Sequence, residues 1–199
     1  MKKGMVMAIN NLVLASSSPR RIQMMRAKGY EPYIFPAQVD ETIPITMGME
    51  SAVMYLACKK ALWAEQHLPQ EQKINSPILV AADTVVYKDR IIGKPADPDQ
   101  AREILASLRK SAHYVATGVC LLKPELPVRK LFCEITKVFF KDFSQEALDA
   151  YINTDEPYDK AGGYAIQGTF GRYVDHIEGD YENVIGFPWS RIEKELASL

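Results

Sequence analysis

The sequence predicts a single mixed α/β domain, on three observations. Apolar, β-branched runs at 11–15, 78–86, 113–122 and 128–141 alternate with helix-patterned segments at 19–28, 51–68 and from Pro98 through Leu108. The 199 residues suffice for one sizeable core, or one core with a cleft between two lobes. No internal repeat or low-complexity segment breaks the chain, and its 47 % apolar and 25 % charged residues are those of an ordinary globular protein.

Asn11 to Ala15 reads as a short apolar strand, followed by Ser16-Ser17-Ser18-Pro19-Arg20-Arg21. Ser18 suits an N-cap and Pro19 a first helical position, so a helix is expected from Pro19 to Lys28, stopped by Gly29. The serine turn, the helix N-terminus and the two guanidinium groups favour a phosphate chain; the plain alternative is a capped surface helix with two solvated arginines. Residues 30 to 45 are extended and proline-rich, and Val39-Asp40-Glu41 puts two acids in a loop. Adjacent acids are ordinarily just solvated, but they suit a divalent cation where phosphates must be held. In the next helix, Ser51 to Leu68, Val53, Leu56, Ala57, Ala61 and Ala64 share a face with Lys60 at its edge, where a lysine ordinarily snorkels.

The central strand, 78–86, is apolar except for Asp83 and Thr84. A buried carboxylate costs several kcal/mol unless compensated, so Asp83 requires a cation or donors. After Gly93-Lys94-Pro95, Asp97 and Pro98 open a helix with Gln100 at the capping-box position. The strands 113–122 and 128–141 read as neighbours joined by a turn at Lys123-Pro124-Glu125, and Ser144 caps a helix that buries Leu148, Tyr151 and Ile152. Glu156 to Pro188 differs in kind: it is rich in glycine and polar residues without linker composition, and Gln167 in such a loop offers a bidentate amide to a base edge, or is an ordinary exposed turn residue. A C-terminal helix is expected from Trp189 to Leu199, and residues 1–10 are expected to be an extension or disordered start before one domain spanning 11–199.

A formal net charge of -1 exerts no general pull toward nucleic acid or anionic membrane. Cys58, Cys120 and Cys133 lack C-x-x-C spacing and read as reduced core residues, and the three histidines lack zinc-ligand spacing. No apolar run is long enough to span a bilayer and no signal peptide is evident, so a cytoplasmic protein without nucleic-acid or membrane partners is expected.

In chain order, Leu14-Ala15-Ser16-Ser17-Ser18-Pro19-Arg20-Arg21, Ala82-Asp83-Thr84, Gly93-Lys94-Pro95, Thr117-Gly118-Val119, Glu156 to Gly162 with Ile166-Gln167-Gly168, and Gly179-Asp180-Tyr181 with Asn183-Val184 and Gly186-Phe187-Pro188 resemble the Maf family. The resemblance implies a long mixed sheet flanked by helices with a central cleft between two lobes, related to the inosine triphosphatases and often dimeric. It implies a metal-dependent (magnesium or manganese) nucleoside triphosphate pyrophosphatase, yielding the monophosphate and pyrophosphate. Asp83 matches the family's proton acceptor, and Ser16, Arg21, Glu41, Lys60, Lys94, Asp159 and Lys160 match polar positions of the cleft, with Glu41 and Asp83 as the candidate metal ligands. Arg20, Thr84 and Gln167 resemble the subgroup acting on dTTP and UTP rather than the one preferring 7-methyl-GTP. A nucleotide-binding regulator of septum formation is the rival reading that the family's history invites.

Overall fold

The structure, a computed structural model, describes residues 11–44, 46–124 and 126–199. The expected extension at 1–10, Ile45 at the end of the expected extended stretch, and Glu125 in the expected turn lie outside the described residues. In chain order the elements are β1 (Leu12–Leu14), α1 (Pro19–Ala27), β2 (Tyr33–Ile34), α2 (Met49–His67), α3 (Gln70–Lys73), β3 (Ile78–Lys88), β4 (Arg90–Ile92), α4 (Pro98–Leu108), β5 (Ala112–Lys123), β6 (Val128–Phe140), α5 (Gln145–Ile152), β7 (Val174–Glu178), α6 (Tyr181–Ile185) and α7 (Trp189–Leu196). Three short 3-10 helices, Glu156–Asp159, Ala161–Gly163 and Thr169–Tyr173, fill the stretch between α5 and β7.

Among the described residues the sheet has seven strands in the order β2-β1-β3-β5-β6-β7, with β4 paired to β3 off that path. β1 is parallel to both β2 and β3, whereas β3, β5, β6 and β7 run antiparallel. This is the mixed sheet that the family resemblance implied. β1 covers one edge of β3 at Ile78 to Val80, and β4 covers the same edge from Val86 to Lys88. Between them, Ala81 to Val85 keep β5 on one side and, among the described residues, have no strand on the other. The sheet therefore splits where Asp83 and Thr84 sit.

Side chains alternate across a strand, so neighbours on β3 face opposite layers. Leu79 and Ala81 pack with Val13, Cys120 and the α2 residues Ala57, Ala61 and Ala64. Ile78, Val80 and Ala82 pack on the other face with Met25 of α1 and Trp189, Ile192 and Leu196 of α7. Further along, Val85 joins Val53 and Ala116 on the α2 face. Val86 joins α4, α5, Phe140, Tyr164 and Phe170 on the other. Asp83 and Thr84 are thus the polar break between the two apolar clusters of each face, four clusters in all among the described residues and two to each side of the break. These clusters are the cores of the two lobes, and the cleft follows from their separation.

Caps explain several boundaries. Asp97 accepts from the Gln100 amide at 2.8 Å while the Gln100 side chain accepts from Ala96 N–H at 2.6 Å, closing the start of α4 on both sides. Ser144 caps α5 through the Ala147 amide, 3.2 Å. Ser18 holds the N-cap position of α1, but its side chain makes no capping bond. Instead its own N–H donates to Ser16 Oγ at 3.2 Å, which turns the serine loop inward. β7 and α6 lie inside the stretch the sequence left as loop, with β7 extending the sheet beyond β6.

His113 is wholly buried against Phe140 and Tyr164 and shares a 2.7 Å hydrogen bond with the Tyr164 hydroxyl. Burial, aided by the charge of Lys88, pushes its imidazole down to about 4. The unfolded chain binds this proton more readily, near pH 6.5, so the contribution to stability is complete above that value and is lost as pH falls toward 4. At pH 5 the loss is about 2 kcal/mol, or roughly 4–8 °C in Tm for a chain this size. His113→Gln, which takes up no proton, should show a flatter Tm between pH 7 and pH 5; an unchanged slope would assign the acid sensitivity to other groups.

Candidate active site

A cleft of about 540 Å³ opens at the split in the sheet. Its lining includes all eleven residues singled out in the sequence: Ser16, Arg20 and Arg21 around the start of α1, Glu41 from the following loop, Lys60 of α2, Asp83 and Thr84 of β3, Lys94 after β4, and Asp159, Lys160 and Gln167 from the late loop.

On the α2 face, the alanines at 57, 61 and 64 let the helix lie close to the sheet, and Lys60, one turn from Leu56, reaches β3. Its Nζ lies 2.6 Å from Asp83 Oδ1 and 2.9 Å from Glu41 Oε1. Lys60 and Asp83 are each 8 % exposed, so Lys60 does not snorkel to solvent; it is the cation that compensates the buried acid. Burial pushes the Glu41 carboxyl up, but the Lys60 hydrogen bond and charge outweigh it and hold it below the ordinary range.

On the opposite face, Arg21 closes the open edge of β3. Nε donates to Gly186 O (2.9 Å), NH1 to Ala82 O (2.7 Å) and Ser16 Oγ (3.1 Å), and NH2 to Thr84 Oγ1 (3.0 Å). Four of the five guanidinium hydrogens are thereby used, so Arg21 has one left for a ligand. Ser16 Oγ, already accepting from Ser18 N–H and Arg21, retains its own O–H to donate. Thr84 Oγ1 also lies 3.0 Å from Thr117 Oγ1, whose hydroxyl reaches Asn183 O at 3.3 Å. The partners of Thr84 make it a holder of the guanidinium as well as a lining residue.

Across the cleft mouth, Arg20 NH1 lies 3.7 Å from Asp159 Oδ2, and Lys160 pairs with Asp159 as well. Burial raises the Asp159 carboxyl, and Lys160 and Arg20 together bring it below its usual value. Lys94 and Gln167 are exposed at the rim. Gln167 sits in a turn closed by Gly168 N–H to Ala165 O, 3.0 Å.

Gly186, part of the Gly186-Phe187-Pro188 motif, has a role that the motif alone does not reveal. It ends α6 in the left-handed region (φ 100°), accepts from Arg21, and a Cβ there would stand 3.1 Å from Thr84 Oγ1. A glycine directly after a short helical run was the available signal.

Among the described residues no group of three His, Cys, Asp or Glu is gathered to hold a metal ion. Magnesium, however, is commonly held by one or two carboxylates together with substrate phosphates and water. Glu41 and Asp83, brought onto one ammonium, fit that pattern.

The family model described as Maf-like protein matches residues 11–199. Among curated proteins, the chain is 43 % identical over 192 residues to the dTTP/UTP pyrophosphatase of Geobacillus sp. (strain WCH70), covering 96 % of this chain and 99 % of that one. It is 40 % identical over 194 residues to the dTTP/UTP pyrophosphatase of Caldicellulosiruptor bescii, covering 96 % of each. With a protein of the same name from Bacillus cereus it shares 39 % identity over 189 residues, 94 % of this chain and 95 % of the relative. With the split sheet, the cleft at Asp83 and a match along the whole described chain, this protein belongs to the Maf-like protein family.

Proposed function

We propose that this chain hydrolyses dTTP and UTP to the nucleoside monophosphate and pyrophosphate. The observation that carries the reading is Asp83, a nearly buried acid on an open strand edge, facing a cleft supplied with cationic and hydroxyl donors. The relatives' names supply the substrate class.

In the proposed reaction a water oxygen bonds to the α-phosphorus, the bond from that phosphorus to the bridging oxygen breaks, and pyrophosphate departs with the electron pair. Asp83 accepts the water proton. Lys60, held between Asp83 and Glu41, and Lys94 at the rim offset the charge on the phosphate oxygens. Ser16 O–H and the remaining Arg21 hydrogen donate to the phosphate chain. Glu41 and Asp83 would hold the divalent ion, magnesium or manganese, which when bound neutralises phosphate charge. Arg20 and Gln167 select the base, with Thr84 acting beside them through Arg21. Separation of the products tests the reaction: UMP and pyrophosphate from UTP are expected, and UDP with phosphate would contradict it.

The uracil edge presents carbonyl, N3–H and carbonyl, which a carboxamide can meet with both a donor and an acceptor. Gln167→Glu loses the donor, so kcat/KM for UTP and dTTP should fall at least ~10-fold more than that for GTP, the scale of a lost base-edge hydrogen bond. Equal losses would mean that Gln167 only shapes the loop.

A further inference from the structure

Glu156 opens the first 3-10 helix of the late loop and is absent from the cleft lining, yet both of its carboxylate oxygens accept from the segment that carries Gln167. Oε1 accepts from Thr169 N–H at 3.0 Å and Oε2 from the Thr169 hydroxyl at 2.7 Å. The Tyr151 hydroxyl approaches Oε1 from the α5 side at 3.5 Å. The turn is built to admit this carboxylate: a Cβ on Gly168 would fall 1.9 Å from Glu156 Oε1. A second constraint holds the other flank, where a Cβ on Gly171 would fall 2.1 Å from Ile166 O. Gln167 is therefore carried on a turn whose following residue is bonded twice to one side chain, with Gly168 leaving room for that carboxylate and Gly171 required by the backbone of Ile166. The backbone of Glu156 adds a further tie, because its carbonyl accepts from Lys160, a residue of the cleft wall.

An exposed carboxamide can discriminate between bases only if its backbone is fixed, since a mobile turn would let the amide meet several base edges equally well. We propose that Glu156 is a positioning residue for base selectivity, holding the Ala165 to Gly168 turn through Thr169 so that the Gln167 amide is presented to the base. This rests on the reading of Gln167 as the residue that reads the base. The role needs hydrogen-bond geometry and not negative charge. A glutamine at 156 keeps it, its carbonyl accepting from Thr169 N–H and its amide donating to the Thr169 hydroxyl. An alanine leaves both Thr169 groups without that partner.

The test is kcat and KM for UTP and for GTP in the full-length wild type, Glu156→Ala, Glu156→Gln, Thr169→Val and Gln167→Ala, each with its Tm. Glu156→Ala should lower the UTP-over-GTP preference in kcat/KM by roughly 10-fold, chiefly through a higher KM for UTP, with kcat within about 3-fold. Glu156→Gln should restore most of the preference. Thr169→Val removes only the hydroxyl and serves if Glu156→Ala does not fold; it should shift the preference the same way by a smaller factor. If Gln167→Ala abolishes the preference while Glu156→Ala and Thr169→Val retain it, the positioning role is overturned and the base reading stands. If Glu156→Ala and Glu156→Gln lose kcat equally with the preference intact, the charge serves chemistry and the positioning role is again overturned. If Gln167→Ala itself leaves the preference unchanged, the base reading fails and the proposal falls with it.

Discussion

Asp83→Asn should lower kcat for UTP by about 10²- to 10⁴-fold, the usual cost of losing a general base, while nucleotide binding stays within a few-fold of wild type. Asparagine matches the carboxylate in shape but cannot take the proton of the attacking water. Lys60 retains Glu41 at 2.9 Å, so the ammonium is not stranded when Asp83 loses its charge. Arg21 is fixed by Ser16, Ala82 O, Thr84 and Gly186 O, none of which the substitution alters, so the opposite wall keeps its form. Turnover and calorimetric binding of UTP to the same preparation separate the two effects. A kcat within 10-fold of wild type would remove Asp83 from the chemistry.

Gly118→Ala should destabilise the protein by about 3 kcal/mol or more, lowering Tm by roughly 6–12 °C, and should depress turnover as well. Gly118 on β5 is the register partner of Asp83 on β3. A Cβ there would lie 2.3 Å from Val53 C, 2.4 Å from Val53 O and 2.6 Å from Met54 N, all backbone of α2. Backbone cannot rotate aside, so the helix must lift from the sheet. Lys60, two turns further along that helix, would be carried away from Asp83. Gly48→Ala is the control, because among the described residues nothing beyond its chain neighbours lies within 4 Å of its Cβ position; it should cost no more than about 1 kcal/mol as a weaker N-cap. A Gly118→Ala protein with the wild-type Tm would contradict the close seating of α2.

The parts of the fold that were legible in the sequence are those governed by local rules. β3, β5 and β6 declared themselves as β-branched runs, and α4 and α5 through the caps at Asp97 and Ser144. β7 was missed because its half-exposed edge position leaves Val174-Asp175-His176-Ile177-Glu178 with little apolar signal. The split in the sheet was not legible at all, since it depends on where two short strands, β1 and β4, stop along a third. Period-2 alternation does put Asp83 and Thr84 on opposite faces, but not what covers each face. Lys60 could be seen at the edge of an apolar stripe, whereas its two carboxylate partners come from elements 19 and 23 residues away. The Glu156 clamp spans 13 residues and shows in the sequence only as the nearby glycines. Ser18 fits every local rule for a cap, yet its side chain makes no capping bond and its backbone N–H turns to Ser16 Oγ.

Pyrophosphate release from pyrimidine nucleoside triphosphates is the activity proposed for the cleft at Asp83. Its most direct test is pyrophosphate release by the purified chain from UTP, dTTP, GTP and 7-methyl-GTP, with magnesium or manganese present. kcat/KM for UTP and dTTP should lie at least about 10-fold above that for either guanine nucleotide, with turnover lost in Asp83→Asn. A preference for 7-methyl-GTP, or pyrophosphate release that survives Asp83→Asn, would contradict it.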